Sequence, residues 1–214
     1  MKNILVICAH PDDEVFGAGG TVAKYAAEGY NIDVIIFSYG EQSHPWLKKH
    51  FVIETRIKES KEASKLLGTK SLLFFGLREG KFAEDVVKKD IYSRLASIIR
   101  KKKPEKIFTH SLDDPHPDHS IVHNSVLHSL KESGYACGIY TFDIWNPVNI
   151  GKRKFPRLYI DISKTFGKKI EALRCFKSQR INAMIPLLWS VYIRAITNGI
   201  QNGTRFAEVF YKIR

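Results

Sequence analysis

The sequence predicts an α/β fold: a mostly parallel sheet flanked by helices on both faces, in a three-layer α/β/α arrangement. Short apolar runs typical of buried strands alternate along the chain with longer segments whose apolar residues recur at helical spacing. This alternation is typical of parallel sheets with right-handed crossovers. The chain has 214 residues, of which 44% are apolar, so we expect one domain covering residues 1–214.

Seven segments are predicted as strands. The first four are short and apolar, and the first two are expected to be buried strands of the sheet. The later ones are less regular, and the last is predicted as a short strand or loop. In chain order the predicted strands cover residues 4–7, 33–38, 71–76, 106–110, 138–147, 157–162 and 207–211.

Helices are predicted between these strands. A run at residues 22–28 ends at Gly29 and a helix at 54–67 ends at Gly68, because glycine readily closes a helix. The glycine-rich residues 17–21 fit neither a dinucleotide nor a phosphate-loop fingerprint, so we interpret them as a loop packed closely against a site. Further helices are predicted at 85–102, 119–131, 165–179 and 185–200.

The charge of the chain is strongly basic, with a formal net charge of +12. Lysine-rich runs at residues 100–103 and elsewhere are favoured as solvated helix ends and loops, since basic residues complement the helix dipole there. Together these runs could also form a patch for phosphates of a nucleotide sugar, an anionic lipid or nucleic acid. The runs lie at residues 48–50, 100–103, 152–154 and 168–169.

The number of cysteines and the N-terminal residues indicate the cellular compartment. The three cysteines are odd in number and widely spaced, which predicts no disulfide framework. No signal-peptide segment precedes the first predicted strand, so we expect a reducing cytoplasm. Peripheral membrane contact and a homo-oligomer are compatible with the sequence but are not required by it.

The late apolar segment at residues 185–200 carries Arg194 and is too short to span a bilayer comfortably, so it is predicted as a buried or interfacial helix. Three aromatic residues, Trp145, Trp189 and Tyr192, could stack on a sugar. Burial habits favour core positions for them.

Two related segments follow predicted strands. Residues 9–14 read AHPDDE after the first strand, and residues 114–119 read DPHPDH after the fourth. Imidazole and carboxylate are donors that a divalent cation prefers, and three such ligands with one open position describe a hydrolytic zinc site. Because ligands of parallel sheets gather beyond the carboxyl ends of the strands, both segments are expected in one crevice. Of the adjacent acids Asp12 and Asp13, one would bind metal and the other would address the water.

On the predicted second helix, Arg56 and Glu59 lie three residues apart and share one face. They form either an ordinary surface pair or a site at which the arginine holds a substrate oxygen.

These motifs, with GAGGT at residues 17–21, resemble those of the LmbE-like family, also called PIG-L, of zinc-dependent N-acetylglucosaminyl deacetylases. The likeness extends to Arg56, Glu59, the helix end at Leu67-Gly68 and, weakly, to residues 206–210. The resemblance implies a Rossmann-like fold and a hydrolase that releases acetate from an amino-sugar conjugate.

The same resemblance implies the roles of single residues. It makes His10, Asp13 and His119 the zinc ligands, with Asp12 as the general base for the metal-bound water. It also implies Zn2+ as the cofactor, with Fe2+ in its place in some relatives.

Three further roles follow from the resemblance. His116 helps to stabilise the tetrahedral intermediate, Asp118 orients or tunes a neighbouring histidine, and Arg56 contacts the substrate. The substrate is a small amino-sugar conjugate, including phosphate-bearing ones, but its identity is not given by the sequence.

Two other functions compete with this prediction. A metal-dependent phosphoesterase, or another amidohydrolase, would use the same site, and the phosphoesterase would require two metal ions with bridging carboxylates. The third hypothesis is a basic nucleic-acid-binding protein with merely structural acidic loops, whose binding would weaken steeply with salt.

Overall fold

A seven-stranded sheet forms the centre of the protein in the computed structural model, which describes residues 2–145 and 155–214. The strands are β1 (Asn3–Cys8), β2 (Asn31–Ser38), β3 (Ser71–Leu77), β4 (Lys106–His110), β5 (Gly138–Phe142), β6 (Arg157–Asp161) and β7 (Ala207–Lys212). Their order in the sheet is β3-β2-β1-β4-β5-β7-β6. The first five run parallel, and β7 pairs antiparallel with both β5 and β6.

Helices cover both faces of this sheet. They are α1 (Asp13–Ala27), α2 (Lys49–Leu67), α3 (Phe82–Lys88), α4 (Ile91–Lys102), α5 (Pro117–Ser133), α6 (Phe166–Arg174) and α7 (Ile185–Asn202). A 3₁₀ turn at Lys177–Gln179 and a π-helical turn at Arg180–Met184 connect α6 to α7.

The strand β1 shows why the sheet needs a layer on each side. Its side chains alternate between faces, so Ile4, Val6 and Cys8 enter one apolar core while Leu5 and Ile7 enter the other. The first core includes residues of α1, α2, α6 and α7, and the second includes residues of α3, α4 and α5. The predicted three-layer α/β/α fold is confirmed.

The predicted helix at residues 85–102 is wrong in one respect, because two helices occupy this part of the chain. The helix α3 ends at Lys88, and α4 begins at Ile91. Between them Asp90 adopts a left-handed conformation, with φ of 51°. The apolar spacing continues through the break, so the spacing alone did not reveal it.

The interpretation of residues 17–21 as a loop is also wrong, because α1 begins at Asp13 and includes them. The glycines are there for close packing. A Cβ at Gly17 would lie 2.2 Å from the ring of Phe142, and one at Gly20 would lie 2.7 Å from Ile162. The helix can therefore approach β5 and the segment after β6 more closely than side chains would allow.

The late part of the chain differs from the predictions in three places. The predicted helix at residues 165–179 is too long, because α6 ends at Arg174 and a separate 3₁₀ turn covers Lys177–Gln179. The strand β5 ends at Phe142, and residues 146 and 147 of the predicted strand lie outside the described residues, as does the basic run at 152–154. The aromatic side chains predicted for the core are partly exposed, at 37% for Trp145, 51% for Trp189 and 39% for Tyr192.

Among residues 2–145 and 155–214, no helix combines the length and the apolar character that crossing a membrane requires.

Candidate active site

The two motif segments meet because β1 and β4 are neighbours. These strands pair in parallel, with Val6 opposite Phe108 and Ile7 opposite Thr109. Both end at the same edge of the sheet, at the point where the strand order passes from β2-β1 to β4-β5. Ligand sites of open α/β sheets form at this switch point, so the segments after β1 and β4 line one crevice.

Four histidines lie close together in this crevice. The rings of His110 and His119 stack with centroids 3.8 Å apart, and those of His116 and His119 lie 4.6 Å apart. The ring of His10 packs edge-on against His116 at 4.8 Å. Residues separated by about a hundred positions in the sequence thus form one imidazole cluster.

The carboxylate of Asp13 lies at the centre of this cluster. Its Oδ2 is 3.4 Å from His10 Nδ1, 3.5 Å from His119 Nε2 and 3.3 Å from His110 Nε2. The backbone N–H of His10 donates to the same oxygen. Burial alone would raise the pKa of Asp13, but the imidazoles of His119 and His110 hold it well below its usual range. Asp13 is therefore ionised and surrounded by nitrogen donors.

The donor set fits a divalent transition metal. Donor atoms lie within 4.8 Å of one another in two groups that share His119: His10 with His116, and Asp13 with His110. The Nε2 atom of His119 is buried and has no hydrogen-bond partner among the described residues, as expected for a ligand atom. Spacings of 3.4 and 3.5 Å from Asp13 also suit two ligands of one tetrahedral ion with bonds of about 2.0–2.1 Å.

The predicted ligand set, His10, Asp13 and His119, is divided between these two groups. His110 was not predicted as part of the site. Its Nε2 accepts a hydrogen bond from the backbone N–H of Ala9 at 3.0 Å, which engages the lone pair of that nitrogen. His110 therefore holds the backbone in place beside His10. The sequence signal that could have identified His110 as a site residue was its position as the last residue of β4.

Asp12 adopts an unusual backbone conformation. It caps α1 with φ of 96°, a left-handed value that is rare outside glycine and common at functional sites. Its Oδ2 lies 3.2 Å from Nη2 of Arg56, which also donates to the backbone oxygen of Pro11. Burial raises the pKa of Asp12 to about 7, although the nearby Arg56 acts in the opposite direction.

The predicted pair of Arg56 and Glu59 is buried rather than on the surface. Arg56 is only 2% exposed, and its Nη1 lies 3.9 Å from Glu59 Oε2. A Cβ on Gly40 would lie 2.8 Å from Arg56 Nε, and Gly40 has φ of 70°. The loop after β2 therefore closes over the guanidinium at a glycine, and Arg56 is held against Asp12.

Asp118 and His116 enter the crevice at the start of α5. Asp118 Oδ2 lies 3.2 Å from His10 Nε2, so the two nitrogens of His10 face two different carboxylates. Burial lowers the pKa of His10, but Asp118 and Asp13 together raise it to about 10. The Nδ1 atom of His116 accepts the N–H of Asp118 at 3.2 Å, which leaves its Nε2 to carry the proton.

Asp114 is a second site residue whose role was not predicted. Its Oδ1 lies 2.9 Å from His119 Nδ1, and its Oδ2 accepts the N–H groups of Ile144 and Trp145. Burial raises its pKa, but His119 and these hydrogen bonds lower it to about 2. A carboxylate that orients a ligating histidine through its second nitrogen is typical of metal sites.

Known proteins resemble this chain over most of its length. It is 30% identical to a 4-oxalmesaconate hydratase of Pseudomonas putida, over 94% of this chain and 81% of that protein. It is 27% identical to a diacetylchitobiose deacetylase of Thermococcus kodakarensis, over 97% of this chain and 82% of that protein. The solved structure of a 4-carboxy-2-hydroxymuconate hydratase from Pseudomonas putida superposes with a TM-score of 0.84 and 27% identity, covering 100% of this chain and 97% of that one.

The model of one protein family covers residues 5–130, which include both motif segments, Arg56 and the sheet from β1 to β4. The chain belongs to the PIG-L family, whose model is described as GlcNAc-PI de-N-acetylase.

Proposed function

We propose that this protein is a metal-dependent hydrolase that removes the acetyl group from an N-acetylglucosamine-type conjugate and releases acetate. One observation carries the proposal: a buried carboxylate, Asp12, lies beside a cluster of histidine and carboxylate donors in a single crevice. Membership of the PIG-L family and the likeness to a deacetylase over 97% of the chain support it.

His10, Asp13 and His119 would hold the metal ion, which we propose to be Zn2+, with Fe2+ as the substitute that the same donors accept. When bound, such an ion acidifies a water molecule and polarises an amide carbonyl. Asp118 would orient His10, and Asp114 would orient His119, because each carboxylate lies within 3.2 Å of the second nitrogen of its histidine.

Asp12 would act as the general base. A pKa near 7 leaves a carboxylate both substantially ionised and basic enough to accept a proton at neutral pH. Arg56 holds this carboxylate in place at 3.2 Å and is itself fixed by Glu59. We therefore propose that Arg56 positions Asp12, in addition to its predicted contact with substrate.

His116 would stabilise the oxyanion that develops on the acetamide carbonyl. Its Nδ1 accepts a hydrogen bond from the backbone, so Nε2 carries the proton that a developing negative charge requires. The side chain is only partly buried, unlike that of His119, so it remains accessible to a molecule in the crevice.

Carboxylates around the crevice favour a neutral, hydroxyl-rich substrate. Glu79 Oε1 lies 3.6 Å from His10 Nε2, and Glu41 is buried nearby, where it accepts the N–H of Glu79. Lys49 contacts Glu41 at 3.3 Å and reduces this negative charge only at the exposed rim. Sugar hydroxyls can donate to carboxylates, whereas a substrate with several carboxylates would be repelled.

A second candidate function is the hydration of an unsaturated oxo-acid. It is favoured by the 30% identity to a hydratase over 94% of the chain. Both reactions need an activated water, so the same base and metal would serve either. The acidic surroundings of His10 are the reason that we place deacetylation first.

The two functions are separated by one assay panel. Metal-loaded protein would be incubated with N,N'-diacetylchitobiose, other N-acetylglucosamine conjugates and 4-oxalmesaconate. We expect acetate release from at least one amino-sugar conjugate and no hydration of the oxo-acid. Hydration without any acetate release would replace the first proposal with the second.

The phosphoesterase alternative predicts a different metal content. It requires two metal ions about 3.5–4 Å apart with bridging carboxylates. We propose one ion per chain, as the compact donor set around His119 suggests. Elemental analysis that returned two ions per chain, together with phosphate release from a phosphoester, would favour the alternative.

We further propose that residues 1–214 act as one catalytic domain in the cytoplasm. Fractionation of cells that produce the tagged chain would test the location.

A further inference from the structure

A cavity of about 380 Å³ lies between α7 and the antiparallel edge of the sheet. None of the predicted site residues lines it. The ring of Phe142 separates it from the histidine cluster, since this ring lines the cavity and also packs edge-on against His110 at 5.2 Å. The cavity is therefore distinct from the crevice at the ends of β1 and β4.

Arg194, on α7, provides a positive charge at this cavity. Its Nη1 donates to the backbone oxygen of Asp143 at 2.7 Å, and it forms no salt bridge with any residue in the ranges 2–145 and 155–214. Burial lowers its pKa, although the carboxylates of Asp143, Asp114 and Glu208 partly offset this effect. Arg194 is only partly exposed, and a partly desolvated guanidinium without a salt bridge carries a cost that an anionic ligand would relieve.

A second arginine lies at the open side of the cavity. Arg157, on β6, is exposed, and its Nη1 donates to Tyr159 Oη at 3.3 Å. It also lies over the ring of Tyr211, and no carboxylate of the described residues pairs with it. Among residues 2–145 and 155–214, both arginines therefore keep N–H groups whose hydrogen bonds a planar or tetrahedral oxyanion can accept.

The third cation at the cavity is already neutralised. Lys169 Nζ donates to Glu208 Oε1 at 2.6 Å and to the backbone oxygen of Phe16 at 2.8 Å. The other oxygen of Glu208 accepts the N–H of Thr21. This pair contributes no net charge. The other charged side chains that line the cavity are Arg194, Arg157 and Asp143, so the positive charge of the two arginines exceeds the negative charge of the one remaining carboxylate.

The remaining walls suit a small polar molecule. Asn198 and Gln201 offer amides, and Gln201 accepts the hydroxyl of Tyr159 at 2.6 Å. Phe142 provides an apolar surface on the inner side. The volume lies within the range of about 300–1,000 Å³ that small-molecule sites occupy.

We propose that this cavity binds a small molecule through a carboxylate or phosphate group placed against Arg194, with Arg157 contacting the same molecule from the open side. The inference does not depend on the proposed deacetylase activity, since it uses none of the residues of the crevice.

The test is calorimetric titration of the metal-loaded full chain with succinate and with inorganic phosphate, at an ionic strength fixed with chloride. The two probes distinguish a carboxylate ligand from a phosphate ligand. We expect saturable binding of at least one probe, weakened about tenfold or more in Arg194→Gln. The control is Arg205→Gln, which removes an exposed arginine outside the cavity and should leave binding unchanged.

A variant that keeps the charge protects the test against unfolding. Arg194→Lys retains the cation but loses the planar fork, so it should fold and bind the probe more weakly than wild type. If neither probe binds the wild type, or if both Arg194 variants fold and bind as tightly as wild type, the proposal is wrong. Unchanged binding by both variants is the result expected if the probe binds the metal in the crevice instead of the cavity.

Discussion

The crevice at the ends of β1 and β4 and the cavity at the antiparallel edge are built in different ways. The crevice takes its histidines and the aspartates beside them from two short segments, residues 10–14 and 110–119, at the ends of neighbouring parallel strands. The cavity takes Arg157 from β6 and Arg194 from α7, and no local pattern connects them. The functional residues at the ends of the parallel strands therefore lie in short sequence motifs. Those at the antiparallel edge come together only through packing between elements that are distant in sequence.

The two regions also differ in charge. Carboxylates surround the histidines of the crevice, where Asp13 and Asp118 lie against His10. The cavity instead has two arginines without salt bridges to described residues. A divalent cation suits the first region and an oxyanion suits the second. The two regions therefore suit ligands of opposite charge.

The largest expected effect would come from the base in the crevice. Asp12→Asn removes the proton acceptor without changing its size, so kcat should fall by about 10²- to 10⁴-fold while metal content stays constant. Steady-state acetate release and elemental analysis check this. The control Asp113→Asn changes an exposed acid in the second segment and should keep nearly full activity. Full activity in Asp12→Asn would refute the assigned role.

The next effect concerns the ion pair of Lys169 and Glu208, which lines the cavity. Lys169 in α6 contacts α1 through the backbone oxygen of Phe16 and contacts β7 through Glu208. Lys169→Met leaves a buried carboxylate without its cation, so the free energy of unfolding should fall by about 3–5 kcal/mol. Urea unfolding measures this loss. The control is Lys168→Met, which changes the exposed lysine one position earlier and should alter the free energy of unfolding little. Equal losses in both variants would show that the buried ion pair does not account for the loss.

A smaller effect is expected at the contact between α1 and β5. A methyl group at Gly17 would overlap the ring of Phe142, so Gly17→Ala should lower the free energy of unfolding by about 1–3 kcal/mol. Gly167→Ala in α6 is the matched control because open space surrounds that position. It should be neutral or stabilising, by up to about 1 kcal/mol. Thermal unfolding of both variants would show whether close packing, rather than helix propensity, explains the glycines of α1.

The smallest effect is a pH dependence outside both regions. Hydrogen bonds from Arg78 are the main cause that holds the pKa of Asp85 below its usual value of 3.8. A carboxyl group whose folded pKa is lowered stabilises the fold above its unfolded pKa and loses that contribution as pH falls. The difference in unfolding free energy between wild type and Asp85→Asn should therefore be constant above about pH 5 and should shrink below about pH 4.

Glu84→Gln is the control for that measurement, because Glu84 contacts the same arginine from an exposed position at 3.5 Å. It should show a much weaker pH dependence. A difference for Asp85→Asn that stayed constant down to about pH 2 would contradict the lowered pKa.

Much of the parallel half could be predicted from the sequence. Its strands β1, β2 and β4 are apolar runs buried on both faces, whereas β3 is a partly exposed edge strand. The alternation of such runs with helical spacing predicted the three-layer fold. The break at Asp90 and the helical position of Gly17 could not be predicted in this way. The first depends on one left-handed residue, and the second depends on Phe142, a contact between elements far apart in sequence.

The site was predictable to the extent that its residues lie in motifs. His10, Asp13 and His119 belong to segments whose order of residue types is unusual, and the structure places them around one crevice. His110 and Asp114 were missed because their contribution is geometric: one stacks on His119, and the other contacts its second nitrogen. Such contacts become visible only when β1, β4 and α5 are placed together.

The most direct test of the central claim is a crystal structure of the zinc-loaded chain, with anomalous scattering recorded at the zinc edge. We predict one ion that contacts His10, Asp13 and His119 together. An ion bound by only one of the two segments, or imidazoles of His10 and His119 too far apart to share an ion, would contradict the claim.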